Sequence, residues 1–240
     1  MIKHIDHKKM GKADHGWLNS HFHFSFAEYC NPENVQFGVL RVLNDDMVQP
    51  GEGFGTHPHR DMEIISYVAQ GELTHEDSMG NKHTLSRGQV QYMSAGTGVL
   101  HSEFNLGKDL LRFLQIWILP DKKDYEPNYG EYRFTVEERR DKWLPLASGV
   151  DNTASSAPVR IHQDINAYAA IISAGKSLAF EMKENRQAYL VLIEGGAKIT
   201  GSGSGQAANL AMRDAAEITG EGIVVNAEEE SHILIIEMAQ

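Results

Sequence analysis

Two pairs of metal-binding residue types lie in the first half of the sequence, and one residue separates the members of each pair. His57 and His59 form the first pair, and His101 and Glu103 form the second. Because residues i and i+2 of a β-strand point to the same face, each pair can converge on one point. Three imidazoles and one carboxylate suit a divalent first-row metal such as iron, manganese, nickel, copper or zinc. The spacing therefore predicts a mononuclear metal site built from these four residues.

Glu63 is a rival for the role of carboxylate ligand. It has the same strand parity as His59 and can also point inward, but the same holds for Asp61, so parity alone does not decide. We favour Glu103 as the ligand. Three roles stay open for Glu63: a ligand, a hydrogen-bond partner of a ligating histidine, or a core acid held by hydrogen bonds.

Other histidines have simpler explanations. In residues 20–26, His21 and His23 alternate with three phenylalanines, which predicts an amphipathic strand with its aromatic side chains packed inward. His75 and His83 flank a turn predicted at residues 78–81 and are expected to be solvated. Ten of the twelve histidines lie at or before residue 101, so a histidine-rich site must lie in the first half of the chain.

The composition excludes several classes of partner and site. The chain has 240 residues, and its 22 basic and 33 acidic side chains give a formal charge of −11. This charge argues against nucleic acid or an anionic membrane as the main partner. A single cysteine, Cys30, excludes a disulfide within the chain and a cysteine-based metal cluster. Residues 1–16 lack the apolar stretch of a signal peptide and no apolar run is long enough for a membrane span, so we expect a soluble, cytoplasmic protein. We also expect it to be a monomer.

Short apolar runs bounded by glycine, asparagine, aspartate and proline dominate the sequence, which is typical of all-β proteins. We predict two series of strands, at residues 35–43, 63–68, 89–93 and 111–118, and at residues 167–173, 177–182, 188–193, 209–213, 222–225 and 233–238. The glycines of residues 195–205 predict a hairpin loop. We therefore expect an N-terminal metal-binding domain (1–125), a connector (126–158) with a short helix near 136–142, and a C-terminal domain without metal (159–240).

Several segments carry a resemblance to a known family. Gly51, His57, His59 and Glu63 follow the spacing of the first cupin motif, and residues 88–101 are similar to the second. The closest likeness is in residues 54–63 (FGTHPHRDME), 75–81 (HEDSMGN) and 93–103 (MSAGTGVLHSE), which resemble pirins and, among them, bacterial pirin-like proteins with quercetin 2,3-dioxygenase activity. The likeness is dense from about residue 16 to residue 118 and sparse beyond it.

The resemblance implies an all-β bicupin fold, with two β-barrels face to face and metal in the first barrel alone. It implies His57, His59, His101 and Glu103 as ligands, most often to Fe(II), and manganese, nickel, copper, zinc or cobalt would suit the same donors. It also implies a dioxygenase that opens the heterocycle of flavonols such as quercetin with O2 and releases carbon monoxide. Glu103 would then act as the catalytic base.

Two other functions stay open at this stage. Other pirins resemble non-enzymatic regulators that bind a protein partner in a metal- and redox-dependent way, and the charge of −11 suits a protein partner better than DNA. The same donor set would also serve a hydrolase or isomerase with zinc or manganese, because ligand type narrows the metal without fixing it. Fold likeness alone does not decide among these functions.

Overall fold

The computed structural model describes residues 1–240, and it consists almost entirely of β-strands and the loops between them. Its helical content is a single turn of 3-10 helix at His7–Lys9, and no helix has the length and apolar character needed to cross a membrane. The chain forms two compact units. We call them the N-terminal unit (Met10–Phe134 with Ile161–Gln163) and the C-terminal unit (Met1–Lys9, Thr135–Arg160 and Asp164–Gln240). The predicted all-β class is confirmed.

Twenty-two strands are numbered in chain order. The first twelve are β1 (Ile2–Ile5), β2 (Gly11–Asp14), β3 (Leu18–Phe22), β4 (Leu40–Val48), β5 (Gly53–His59), β6 (Glu63–Gln70), β7 (Glu72–Asp77), β8 (Lys82–Ser86), β9 (Val90–Ser94), β10 (Val99–Phe104), β11 (Leu111–Ile118) and β12 (Asn128–Tyr132). The others are β13 (Leu144–Gly149), β14 (Val159–Ile161), β15 (Ile165–Ile172), β16 (Ser177–Phe180), β17 (Arg186–Glu194), β18 (Ala197–Gly201), β19 (Ala207–Leu210), β20 (Ala215–Thr219), β21 (Ile223–Ala227) and β22 (Ser231–Ala239).

The N-terminal unit contains a seven-stranded sheet in the order β12-β9-β6-β11-β4-β3-β2 and a four-stranded sheet in the order β5-β10-β7-β8. A buried apolar cluster that includes Val68, Leu73, Leu111 and Phe113 fills part of its interior. The central strands β6 and β11 are buried at almost every position. Polar side chains on these two strands are therefore held away from water and need partners within the protein.

The C-terminal unit repeats this arrangement with the sheet orders β1-β20-β17-β22-β15-β13-β14 and β16-β21-β18-β19. Isoleucine, leucine, valine and alanine side chains fill its core. Asp214 binds residues 4–7 to this unit: its carboxylate oxygens lie 2.8 Å from Nε2 of His4 and 2.7 Å from Nδ1 of His7. The histidines of this segment thus serve to attach a strand.

The observed division differs from the predicted domains in two respects. Strand β1 pairs with β20, with Ile2 opposite Ile218, so the first nine residues belong to the C-terminal unit. The predicted connector supplies β12 to one unit and β13 to the other, and residues 136–142 form bends and turns instead of a helix. Both differences arise because local sequence patterns do not encode pairing between distant segments.

Individual strands agree with the sequence to different degrees. The predicted strand at residues 111–118 is β11, whereas the one predicted at residues 35–43 begins at Leu40 and is β4. The turn at residues 78–81 lies between β7 and β8, where Gly80 has a φ of 92°. The loop predicted at residues 195–205 is wrong over Ala197–Gly201, which forms β18 in spite of the surrounding glycines.

Candidate metal centre

Strands β5 and β10 bring the two predicted residue pairs together. They pair antiparallel, with His57 directly opposite His101. Strand β5 lies at the edge of its sheet, where a strand can lack a backbone hydrogen-bond donor. It therefore tolerates Pro58 between its two histidines. His57 and His59 are two residues apart on β5, so both side chains reach the face on which His101 lies.

The three imidazoles converge within a few ångströms. One ring nitrogen each of His57, His59 and His101 lies within 4.8 Å of the others, and Nε2 of His57 is 3.0 Å from Nε2 of His101. Nδ1 of His57 donates to the carbonyl oxygen of Gly55 at 2.8 Å, which leaves a free lone pair on its Nε2. Ring nitrogens that face one another at this distance suit a shared cation.

Burial keeps the rings of His59 and His101 in the neutral form. It lowers the pKa of His59 to about 4, and the charge of His57 acts in the same direction. Burial also lowers the pKa of His101 to about 2, with further contributions from His57, His59 and His75. Neutral imidazole is the form that binds metals. His59 and His101 are therefore in the ligating form at neutral pH, and the convergence of all three rings fits a divalent transition metal.

Glu103 lies on the same strand as His101, but other side chains hold its carboxylate. It is 2% exposed, and it accepts hydrogen bonds from Oγ of Ser66 at 2.9 Å and from Nε2 of Gln115 at 2.6 Å. Its oxygens group with the ring nitrogens of His101 and His75. Burial raises its pKa, whereas His75 and the hydrogen bonds act against this rise. Its role as a metal ligand stays a prediction.

Three polar residues that sequence reasoning missed support this carboxylate. Gln91, Ser66 and Gln115 are neighbours across β9, β6 and β11, with Ser66 paired to the other two. Nε2 of Gln91 donates to Oε1 of Glu103 at 3.2 Å. The available signal was a polar residue in the middle of each apolar strand, because such a residue must find a partner inside the fold.

His75 and Asp77 form a hydrogen-bonded chain behind His101. The prediction of a solvated His75 is wrong, because its side chain is fully buried on β7, the neighbour of β10. Nε2 of His75 is 3.0 Å from Oδ2 of Asp77, and its Nδ1 is 3.4 Å from Nδ1 of His101. When Nε2 of His101 binds a metal, the ring proton of His101 must lie on Nδ1. This N–H donates a hydrogen bond to Nδ1 of His75, and the Nε2–H of His75 donates one to Oδ2 of Asp77. The chain favours the tautomer that ligation requires.

Replacing Asp77 with asparagine should weaken metal binding by roughly 10- to 100-fold, because an amide accepts the proton of His75 less strongly than a carboxylate does. Competition with a chelator measures the affinity, and thermal unfolding of the apo forms reports any damage to the turn after β7. Glu76→Gln, which alters the neighbouring exposed carboxylate on the same strand, is the control. Equal affinities for the two variants would contradict this role of Asp77.

Glu63 is a buried acid outside the group of three imidazoles. Its Oε1 accepts a hydrogen bond from Oγ of Ser94 at 2.7 Å and lies 3.3 Å from Nδ1 of His162. Among the groups of converging ligand atoms, none contains Glu63. Of the three roles that the sequence left open, the structure supports the core acid. Asp61 has a φ of 50°, and its side chain accepts from the backbone N–H of Asp124.

His21 and His23 are buried together with Phe22 and Phe24. The expectation of an amphipathic segment is therefore wrong, since both of its faces are covered. Burial lowers the pKa of His23 to about 4, so this ring is neutral near pH 7.

A cavity of about 430 Å³ opens beside the three imidazoles. His57, His59 and Glu103 contribute to its lining, and aromatic side chains form much of its wall. Trp17 and Phe54 contact each other edge to face with ring centroids 5.5 Å apart, and Trp117 contacts His59 in the same way at 4.7 Å. An aromatic wall beside a few convergent polar groups suits a flat aromatic ligand.

Gly53 is required where β5 passes β10. A Cβ atom added there would lie 2.3 Å from the backbone oxygen of Glu103 and 2.6 Å from Cα of Phe104, whereas one added at Gly55 would meet nothing within 4 Å. Gly53→Ala should therefore destabilise the fold by about 2 kcal/mol, and Gly55→Ala should stay within about 0.5 kcal/mol of the parent. Urea unfolding measures both, and equal values would show that the two strands separate easily.

Comparisons with known proteins agree with this geometry. The Pirin family model matches residues 4–118, and the model of the quercetinase C-terminal cupin domain matches residues 146–238. A pirin-like protein from Caulobacter vibrioides is 39% identical over 240 residues, which cover all of both chains. Quercetin 2,3-dioxygenase from Escherichia coli K12 is 36% identical over 229 residues, 95% of this chain and 94% of that protein.

A solved structure of the bacterial pirin YhhW from Escherichia coli in complex with nickel(II) has the same fold. It superimposes with a TM-score of 0.87 at 33% sequence identity, and the alignment covers 100% of this chain and 99% of that one. Nickel(II) is a divalent first-row metal. The converging histidines described above provide donors of the kind that such an ion binds.

Proposed function

Because this chain belongs to the pirin family, we propose that it is a metal-dependent dioxygenase that opens the heterocycle of flavonols such as quercetin. Each turnover would consume one flavonol and one O2 and would release one carbon monoxide and one ring-opened ester. Its similarity to quercetin 2,3-dioxygenase from Escherichia coli makes the chain a quercetin 2,3-dioxygenase-like oxidoreductase. The observation that carries the proposal is the group of three converging imidazoles beside a buried carboxylate and an aromatic cavity.

His57, His59 and His101 would hold the metal, and Glu103 would complete the ligand set. Iron is expected from the family resemblance, and the structure of the Escherichia coli relative in complex with nickel(II) supports a divalent first-row ion. A divalent metal in this position would lower the pKa of a hydroxyl group bound to it.

The residues of the chain have separate tasks in this reaction. Glu103 would accept the proton of the flavonol 3-hydroxyl, and Ser66 and Gln115 keep its carboxylate turned towards the interior through their hydrogen bonds. Trp117 and Phe54 would pack against the flat ring system and displace water from it. Without its hydroxyl proton, the substrate is an electron-rich enolate that is able to react with O2.

Turnover of quercetin by metal-reconstituted protein, with and without O2, tests the proposal. We expect loss of the quercetin absorbance that depends on O2, with carbon monoxide released in a one-to-one ratio to substrate consumed. The His57→Ala variant, prepared with the same metal, is the control and should be inactive. Metal-loaded protein that consumes no quercetin in air would refute the activity.

A further inference from the structure

A second cavity, of about 500 Å³, adjoins the one beside the imidazoles. The two cavities share four lining residues, Phe26, Asn44, Asp46 and Phe54. The proposed proton transfer and metal binding do not use the second cavity, because His57, His59 and Glu103 line only the first. The shared residues therefore mark a junction through which one molecule could extend from the metal centre into a further space.

Two buried side-chain oxygens at this junction have no hydrogen-bond partner in the protein. Asn44 is 3% exposed and Asp46 is 4% exposed, and in each residue the Oδ1 atom lacks a partner. Both residues lie on β4, two positions apart, and so point to the same face. An orphaned buried oxygen costs about 1–3 kcal/mol, so these two atoms suit a ligand that donates hydrogen bonds.

The sheet register explains how the two oxygens reach the cavities. Asn44 lies opposite Gln115, which holds Glu103, so the row of polar residues that supports the carboxylate ends at Asn44. Asp46 lies opposite Ser20 on β3, and its carboxylate accepts a hydrogen bond from the Ser20 side chain. The junction is thus continuous with the machinery around Glu103.

Asp45, between these two residues, provides a contrast within the same strand. It points to the other face, where Arg112 binds it through two hydrogen bonds of 2.8 and 2.6 Å. A buried carboxylate that serves only the fold is therefore fully paired at this point of the strand. The Oδ1 atoms of Asn44 and Asp46 lack such partners on the side of the cavities, which favours a ligand-binding role over a structural one.

The walls of the second cavity suit an aromatic ring that carries polar groups. Phe22 and Tyr29 stack with centroids 6.4 Å apart, and Phe26 lies 5.6 Å from Phe22. Lys12 and His15 add polar groups to the lining. A ring held between these aromatic side chains would place its substituents near both the oxygens of β4 and the polar groups.

We propose that the two cavities form one elongated site for polyhydroxylated aromatic substrates, in which Asn44 and Asp46 accept hydrogen bonds from ring hydroxyls remote from the reacting carbon. The inference rests on the proposed function, and it identifies Asn44 and Asp46 as residues that determine specificity for the ring hydroxyls. A flavonol without ring hydroxyls would leave both oxygens unpaired and would bind less tightly.

Quenching of tryptophan fluorescence measures binding, because Trp17 and Trp117 line the first cavity. The probes are quercetin and 3-hydroxyflavone, which has the reacting hydroxyl but no others. We expect the parent to prefer quercetin by about tenfold or more. Asn44→Leu and Asp46→Leu should reduce this preference to less than about threefold, and Asp46→Asn, which keeps one oxygen, should retain most of it.

Asn19→Leu is the matched control, since Asn19 precedes Ser20 on β3 and lies outside both cavity linings. Metal content and the thermal unfolding midpoint confirm that each variant is folded. A preference that is unchanged in both leucine variants, in a parent that turns over quercetin, would overturn the elongated site and leave the dioxygenase intact. A parent that neither binds nor consumes either flavonol would overturn both.

Discussion

Replacement of Glu103 with glutamine is expected to lower quercetin turnover per bound metal by about 10²- to 10⁴-fold, the usual contribution of a general base. Glutamine has the size of glutamate and keeps one oxygen that can accept a hydrogen bond, but it cannot take up the flavonol proton. The buried position of Glu103 makes the loss severe, because solvent has little access to take over its role. Steady-state kinetics with metal content determined on the same samples measures the effect.

The matched control is Glu52→Gln, which changes an exposed carboxylate just before β5 and should leave turnover unaltered. Expressing the rate per bound metal separates the two roles proposed for Glu103. A variant that loses metal but keeps its rate per metal would show that Glu103 is a ligand only. Full activity with full metal content would remove Glu103 from the site altogether.

The second large effect is expected on metal affinity. The binding free energy of a metal at a four-ligand site is about 10–16 kcal/mol, and with equal shares each ligand contributes roughly a quarter of it. His101→Ala should therefore weaken metal binding by at least about 100-fold. His101 is central because its Nε2 faces His57 and its Nδ1 faces His75. Titration with Ni²⁺ or Fe²⁺ in competition with a chelator gives the affinity.

His83→Ala provides the comparison for this experiment, since His83 is an exposed histidine on β8 in the same sheet. Its affinity should equal that of the parent. If His101→Ala bound metal as tightly as His83→Ala, the ion would have to lie elsewhere in the protein. Retention of metal by His57→Ala as well would extend this conclusion to the whole group of imidazoles.

The sequence predicted the parts of the fold that depend on local pattern. β11 was predicted with its observed limits because residues 111–118 are mostly apolar and lie between Asp109 and Pro120. β18 was missed because glycines surround it, and only pairing with β19 and β21 keeps it extended. The place of β1 in the C-terminal unit was also beyond prediction, since it depends on a partner strand far along the chain.

The same distinction applies to the candidate site. The alternation of histidines in β5 and β10 is a local signal, and it identified the three imidazoles that the structure brings together. The residues that hold Glu103 and His101 in position gave a weaker signal, because a polar residue within an apolar strand does not reveal which partner it has. Ser66, Gln115 and Asp77 come from three other strands, and only the register between strands places them next to their partners.

The position of β1 has a consequence for the order in which the protein is completed. A ribosome releases β1 first, but its partner β20 is synthesised roughly 200 residues later. Residues 10–134 contain every strand of the N-terminal unit and can assemble during translation, whereas β1 stays unpaired until β20 has left the exit tunnel. Mutations in β1 and β20 should therefore increase chaperone dependence and aggregation during expression more than mutations around the imidazoles do.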